Sequence, residues 1–153
     1  MAVSPIPAGY HSVTPYLAIR GAARAMEFYK KAFGAVETMR LPAPDGKIGH
    51  AEIRIGNSVI MLADEAPEWG NKSPQMLGGS ATTIMLYVEN SDAMFAAAIK
   101  AGAIEKMPMK DQFYGDRSGT LEDPFGHLWT ISTHTEDVAP EEINRRVKAL
   151  FGG

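Results

Sequence analysis

The chain has no cysteine among its 153 residues. Disulfides, thiolate metal ligands and cysteine nucleophiles are therefore excluded, and the absence fits a cytosolic protein. Long hydrophobic runs are missing too: no apolar stretch approaches the roughly 20 residues that a membrane span needs. The first ten residues have neither the basic region nor the apolar core of a signal peptide. We therefore expect a cytoplasmic protein with no membrane partner.

An excess of positive charge is also absent. The formal net charge is -3 and the isoelectric point is about 5.8, which argues against a nucleic-acid partner or an anionic membrane. What is present is an ordinary globular composition, with 45% hydrophobic and 22% charged residues. The length predicts a single domain over 1–153.

The chain contains two copies of one unit, in which a strand and a helix are followed by three strands. The first copy, about 12–64, has strands predicted near 13–19, 36–41, 48–55 and 58–63, and a helix over 22–33 that ends at Gly34. The second copy, about 80–135, has strands predicted near 81–88, 104–107, 119–122 and 127–133, and a helix that Ser91 or Asp92 caps and that runs through Ala101. Pro15 places the first strand at a sheet edge or beside a bulge.

Two further segments flank the second copy. A linker over 65–79 is rich in proline and glycine and contains Trp69. It is a connection or a loop folded over a site, because long ordered loops in compact domains are often functional lids. The tail over 136–153 predicts a short amphipathic helix, because Pro140 suits its first turn and Ile143 and Val147 share one face.

His50 and Glu52 alternate along the strand predicted near 48–55, so both side chains lie on one side of it. If that side lines a cavity, the pair could bind a ligand, act as a general base or hold a metal ion with help from another strand. If that side faces solvent, Ala51 and Ile53 pack inward beneath a polar stripe. The alternation along the strand fits this second interpretation.

Two stretches of sequence resemble one known family. They are 25–35, read A-M-E-F-Y-K-K-A-F-G-A, and 123–129, read D-P-F-G-H-L-W, which Tyr114-Gly115-Asp116-Arg117 precedes. Together with the repeat they resemble the vicinal-oxygen-chelate superfamily, which includes glyoxalase I, extradiol dioxygenases and bleomycin resistance proteins, and more closely its PhnB-like branch. The resemblance implies an α+β fold in which each βαβββ module curls into a cupped half-barrel. It also implies a cavity between paired modules, usually completed in a homodimer.

The resemblance further implies where metal ligands would stand, with one on the first and one on the last strand of each module. In this chain those positions are Thr14, Met61, Thr83 and Thr130. Neutral hydroxyls and a thioether are poor ligands for divalent metals, which prefer imidazole or carboxylate groups. We therefore expect no metal and no cofactor at these positions.

A cavity without metal would be lined by aromatic, methionine and hydroxyl side chains around a few fixed polar groups. The ligand-binding candidates are Thr14, Tyr16, His50, Glu52, Met61, Thr83, Met85, Tyr114, Arg117, Trp129 and Thr130. Arg117 could instead form an ion pair with Asp116, Asp123 or Glu122, and Trp129 could belong to the core. His127 is expected to bond the backbone near its turn, and His134 to lie on the surface.

The sequence thus predicts a protein of this superfamily that binds a small organic molecule without a metal ion. The alternative is a metal-dependent lyase, isomerase or dioxygenase with a nonstandard site at His50 and Glu52. A third possibility is a dimeric interaction module whose cavity is vestigial.

Overall fold

The computed structural model describes residues 2–152, so Met1 and Gly153, the ends of the predicted domain and tail, lie outside the described residues. The fold is α+β, as predicted, with two four-stranded mixed sheets and helices between and after their strands. Each module contributes one sheet. Among residues 2–152 no helix is long and apolar enough to cross a membrane.

The first module follows the predicted order of elements. Its elements are β1 (Tyr16–Ile19), α1 (Ala22–Phe33), β2 (Val36–Pro42), β3 (Ile48–Ile55) and β4 (Ser58–Asp64). The sheet order is β1-β4-β3-β2, in which β1 runs parallel to β4 and the other pairs are antiparallel. The first strand begins at Tyr16 rather than near residue 13, because Pro15 has no amide to donate to a neighbouring strand. Pro15 correctly indicated a sheet edge.

The first helix owes its bounds to its two ends. Asp64 Oδ1 accepts hydrogen bonds from the amides of Gly21 at 3.1 Å and Ala22 at 3.0 Å, which satisfies two donors at the helix N-terminus. Gly34 ends the helix in the left-handed conformation, as predicted. One face of α1 is almost completely buried between these ends.

The linker is folded rather than open. An isolated bridge joins Ala66 to Asn71 around a short 3-10 turn (Pro67–Trp69), and α2 (Pro74–Leu77) follows. The Trp69 side chain is 85% exposed at the tip of this turn.

The second module repeats the topology of the first. Its elements are β5 (Thr83–Tyr87), α3 (Ser91–Lys100), β6 (Ile104–Asp111), β7 (Asp116–Glu122) and β8 (Leu128–His134), and α4 (Pro140–Phe151) follows as the predicted tail helix. The sheet order is β5-β8-β7-β6. Strands β6 and β7 are longer than predicted, because their hairpin continues through the polar residues up to the pair Asp111 and Arg117.

The predicted cap of α3 was wrong. Asn90 is the N-cap residue, and its side chain accepts a hydrogen bond from the amide of Ala93 at 3.0 Å. Ser91 lies inside the helix, where its hydroxyl donates to the carbonyl of Arg117 at 3.0 Å.

The helix-bearing sides of the two sheets meet in one core. The Trp129 ring of β8 lies 5.3 Å from the Tyr29 ring and 4.7 Å from the Phe33 ring of α1, and Phe28 lies 6.4 Å from Phe125. Helix α1 therefore packs against both modules. Among residues 2–152, helices cover one side of each sheet and leave the other side uncovered, and we call this uncovered side the open face.

Candidate functional site

The open face of the first sheet carries a row of four side chains, one from each strand. In the register of the sheet, Tyr16 on β1 lies beside Met61 on β4, Met61 beside Glu52 on β3, and Glu52 beside Met39 on β2. Residues that pair across neighbouring strands point to the same side of a sheet. The row therefore combines one carboxylate with aromatic and thioether groups.

Glu52 is the buried centre of this row, with only 6% of its surface exposed. Its Oε2 accepts a hydrogen bond from the hydroxyl of Tyr10, and its Oε1 lies 3.1 Å from Nε2 of His50. The hydroxyl of Tyr16 lies 2.8 Å from the other imidazole nitrogen, Nδ1. The Tyr10 hydrogen bond, followed by that of His50, lowers the pKa of the Glu52 carboxyl against the opposing effect of burial. The carboxylate is thus ionised at neutral pH and accepts hydrogen bonds only.

The arrangement of β3 confirms the alternation of apolar and polar residues that its sequence predicted. Ala51 and Ile53 pack beneath α1, so the inward direction of the apolar residues is confirmed. His50 and Glu52 share the opposite side, as the alternation predicted. Glu52 is nevertheless not part of a solvated stripe, because Tyr10 covers it from a segment 42 residues away.

The open face of the second sheet carries a corresponding row without a carboxylate. Met85 on β5 lies beside Thr130 on β8, Thr130 beside Thr120 on β7, and Thr120 beside Met107 on β6. The hydroxyls of Thr120 and Thr130 lie 2.7 Å apart. Met85 is 46% exposed and Met107 63% exposed, so this face has an apolar surface open to a ligand or a partner.

Asp116 forms a second buried polar cluster at the end of the same face. Its carboxylate is 3% exposed and accepts hydrogen bonds from Tyr87 Oη at 2.8 Å and Ser132 Oγ at 3.1 Å. His134 Nδ1 lies 2.8 Å from Asp116, and its Nε2 lies 2.7 Å from Asp137. Burial raises the pKa of Asp116, but the hydrogen bonds from His134 and Tyr87 outweigh it and leave the pKa lowered. Asp137, followed by Asp116, raises the pKa of His134.

The sequence pattern did not predict this cluster, because His134 was expected to lie on the surface. Its imidazole is indeed half-exposed, but it stands directly opposite Asp116 in the β7–β8 register. The two residues are eighteen positions apart in the chain, so no local pattern relates them. Their pairing follows only from the register of the β7–β8 hairpin.

The four positions where the resemblance places metal ligands do not pair with one another across neighbouring strands. Thr14 precedes β1, so the neighbour of Met61 is Tyr16. Thr83 pairs with Leu128, so the neighbour of Thr130 is Met85. Neither set of donors offers the imidazole and carboxylate groups that a divalent metal prefers. Within residues 2–152, no three histidine, aspartate or glutamate side chains converge as a metal site would need.

Two of the predicted site residues lie away from the open faces. Trp129 is fully buried in the core against α1, because its side of β8 carries the helices, and it is also among the residues that line a crevice between the modules. Arg117 forms ion pairs with Asp92 at 2.6 Å and Asp111 at 3.3 Å, and these carboxylates raise its pKa. An ion pair was expected for Arg117, but with other partners.

The remaining predicted residues lie at the periphery. Tyr114 is 37% exposed in the loop between β6 and β7, where its ring contacts Phe113 edge to face at 5.2 Å. His127 bonds a backbone carbonyl, as expected, and that carbonyl belongs to Ala18 of the first module at 3.1 Å.

Several depressions adjoin the open faces. A crevice of about 940 Å³ lies between the modules, and Pro15, Tyr87 and His134 are among its lining residues. A second depression of about 780 Å³ lies beside Tyr16 and is bordered by Trp69 of the linker. Both volumes fall in the range of small-molecule sites in proteins.

Comparison with known proteins supports the resemblance seen in the sequence. A family profile described as "Glyoxalase/Bleomycin resistance protein/Dioxygenase superfamily" matches residues 10–131. An uncharacterised protein of Mycobacterium bovis is 44% identical over 156 residues that cover 100% of both chains. An uncharacterised protein of Arabidopsis thaliana is 28% identical over 115 residues, which cover 71% of this chain and 69% of that protein.

Solved structures show the same fold. The crystal structure of TioX from Micromonospora sp. ML1 is similar with a TM-score of 0.65 and 26% identity, over 81% of this chain and 98% of that one. A Bacillus cereus PhnB protein, described as a putative 3-demethylubiquinone-9 3-methyltransferase, is similar with a TM-score of 0.63 and 18% identity, over 80% of this chain and 99% of that one. At that identity the second likeness concerns the fold alone.

Proposed function

The chain belongs to the glyoxalase/bleomycin resistance protein/dioxygenase superfamily, and on that premise we propose that it binds a small organic molecule on the open faces of its sheets. The observation that carries the proposal is the row on the first sheet, in which Tyr16, Met61 and Met39 surround the buried carboxylate of Glu52. Apolar and aromatic walls around a few fixed polar groups are typical of small-molecule sites.

We propose further that this binding needs no metal ion. The donors at the four positions expected for ligands are three hydroxyls and one thioether, and the carboxylate of Glu52 is already engaged by Tyr10 and His50. Elemental analysis of protein purified without a tag should find substoichiometric divalent metal. Stoichiometric metal would contradict this part of the proposal.

A homodimer is the partner arrangement that we propose. Large apolar side chains are exposed on both open faces, among them Leu41 at 54% and Met107 at 63%, and a second copy of the chain would cover them. Light scattering coupled to size-exclusion chromatography should give twice the mass of one chain. A Met107→Lys variant should shift the equilibrium toward the monomer.

The binding proposal is tested by a thermal-shift screen with aromatic and amphipathic compounds, followed by titration calorimetry of the hits. Met39→Lys, on the open face, should weaken binding of the hits at least about tenfold, because it places a charge on the apolar surface. Met76→Lys is a matched control, since Met76 is exposed to 41% and Met39 to 42%, and Met76 lies on α2. Equal losses in both variants, or a broad panel without a single hit, would overturn the proposal.

The second candidate function is a metal-dependent lyase, isomerase or dioxygenase. The observation that favours it is the contact between His50 Nε2 and Glu52 Oε1 at 3.1 Å on the open face. Stoichiometric metal that is lost in a His50→Ala variant would establish this candidate in place of the first.

A further inference from the structure

Tyr10 reaches the open face of the first sheet from outside its strands. Its hydroxyl donates to Glu52 Oε2, and its side chain is half-buried, whereas residues 2–9 are exposed. In the described part of the chain, only one other hydrogen bond joins residues 2–11 to this module, between His11 Nε2 and the carbonyl of Asn57 at 3.0 Å. Within the described residues, two hydrogen bonds therefore join the segment that carries Tyr10 to this module.

Loss of the hydrogen bond from Tyr10 would leave the buried carboxylate of Glu52 with an unsatisfied oxygen, which is energetically unfavourable. Glu52 has two oxygens, of which His50 occupies Oε1 and Tyr10 occupies Oε2. Its carboxylate is 6% exposed, and a buried carboxylate that loses a hydrogen bond pays the cost of its desolvation. Any molecule that displaces Tyr10 from the row must bring a donor of its own to Oε2.

The surroundings of Glu52 define which donor fits. Tyr16, Met61 and Met39 supply an aromatic ring and two thioethers in the same row, and such groups favour contact with a flat aromatic ring. A negative charge on the incoming group would be repelled by the ionised carboxylate. The group that already occupies the position is a phenol.

We propose that Tyr10 stands in for the ligand at Glu52, and that the open face of the first sheet takes a phenolic ring whose hydroxyl replaces that of Tyr10. This inference rests on the proposed function and specifies the class of ligand. It makes Tyr10 an internal competitor, because a tethered group acts at an effective concentration of about millimolar for a short flexible link. Removal of the Tyr10 side chain should then expose the site to a free phenol.

The test measures the affinity of 4-methylphenol by titration of amide chemical shifts. Tyr10→Ala should bind this probe at least about tenfold more tightly than the wild type, with the largest shifts at residues 50–52. Toluene, which lacks the hydroxyl, and 4-methylbenzoate, which carries a negative charge, should bind Tyr10→Ala more weakly than 4-methylphenol. Phe151→Ala is the matched control, because this aromatic side chain is exposed on α4, far along the chain from β3, and its loss should leave the affinity unchanged.

A second substitution isolates the carboxylate. Adding Glu52→Gln to Tyr10→Ala should reduce the preference for 4-methylphenol over toluene, because the amide oxygen still accepts but carries no charge, and adding Glu52→Leu should remove it. Tyr10→Phe, which keeps the ring and loses only the hydroxyl, serves if Tyr10→Ala is unfolded by circular dichroism, and it should shift affinity in the same direction by a smaller factor.

The results separate this inference from the function on which it rests. If Tyr10→Ala binds 4-methylphenol no more tightly than the wild type, or binds toluene equally well, the inference is overturned. Binding of other compounds to the open faces would then still support the proposed function. If no compound shifts any residue of either open face, both proposals fail together.

Discussion

The hydroxyl of Tyr29 donates a hydrogen bond to Asp123 Oδ2 at 2.6 Å in the interior of the protein, across 94 residues of chain. Tyr29 belongs to α1 of the first module, and Asp123 begins the turn between β7 and β8 of the second. The same oxygen accepts from Trp129 Nε1 at 2.9 Å, while Oδ1 accepts from the amides of Phe125 and His127. Asp123 thus shapes its own turn and fastens that turn to the other module.

This relationship predicts that Tyr29→Phe destabilises the protein by about 2 kcal/mol, because a buried hydrogen bond to a charged group is lost. Burial and the charge of Asp123 raise the pKa of Tyr29 well above its ordinary value, so the hydroxyl stays protonated and able to donate. Urea denaturation should show a lower midpoint with an unchanged slope. Tyr87→Phe is the control: it loses a hydroxyl bonded to Asp116, but the Tyr87 side chain is 59% exposed, so the loss should stay below about 1 kcal/mol. Equal losses would contradict the buried role of Tyr29.

The segment around Asp123 shows which features of the fold local sequence patterns predict and which depend on distant contacts. Turn residues and apolar periodicity are local signals, so they predicted the βαβββ repeat, its helices and the tail helix with small errors at the ends. The alternation along β8 separated Trp129 from Thr130 but did not say which side would carry the helices. That choice depends on α1 of the other module, which packs on Trp129 from about a hundred residues away.

The candidate site was predicted only in part for the same reason. Alternation along β3 predicted that His50 and Glu52 share one face, because the relative direction of two side chains on one strand depends only on their spacing. Tyr10 contacts Glu52 across a sequence separation of 42 residues, and His134 contacts Asp116 across 18. No periodic pattern in the sequence encodes these contacts, so the burial of both carboxylates was not foreseen.

A second prediction concerns the tight approach between the β6–β7 loop and the chain after β8. Gly115 has a φ of 99°, and an added Cβ would overlap the carbonyl oxygen of Glu136. Gly115→Ala should cost about 3 kcal/mol, since backbone strain contributes about 1 and overpacking about 2. Gly46→Ala is the matched control, because Gly46 has a φ of 82° with no atom within 4 Å of the added Cβ. Gly46→Ala should lower the free energy of unfolding only by the backbone strain, about 1 kcal/mol. Similar unfolding midpoints for the two variants would contradict the prediction.

A third prediction concerns stability as the pH rises above 6.5. Asp137 and Asp116 raise the pKa of His134 above its ordinary value of 6.5, so the folded state favours the protonated imidazole. The stabilisation is fully present below pH 6.5 and is lost as the pH rises through the raised value. The melting temperature of the wild type should therefore fall over that interval, whereas His134→Asn should show a flatter profile. Because the imidazole is half-exposed, the difference should shrink in high salt. Parallel profiles would contradict it.

A fourth prediction concerns the acid side, where Tyr10 controls the titration of Glu52. The hydrogen bond from Tyr10 is the largest cause that lowers the pKa of Glu52 below 4.5, and that from His50 comes second. The resulting stabilisation is present above pH 4.5 and is lost as the pH falls through the lowered value. In Tyr10→Phe the pKa of Glu52 should rise toward 4.5, which a titration of its side-chain carboxyl shift would measure. Glu37 is the internal control, because Arg40 and Lys30 lower its pKa and neither contact involves Tyr10. If Glu52 titrates identically in both proteins while Glu37 is unchanged, Tyr10 does not donate to this carboxylate in solution, and the displaceable phenol at Glu52 would lose its basis.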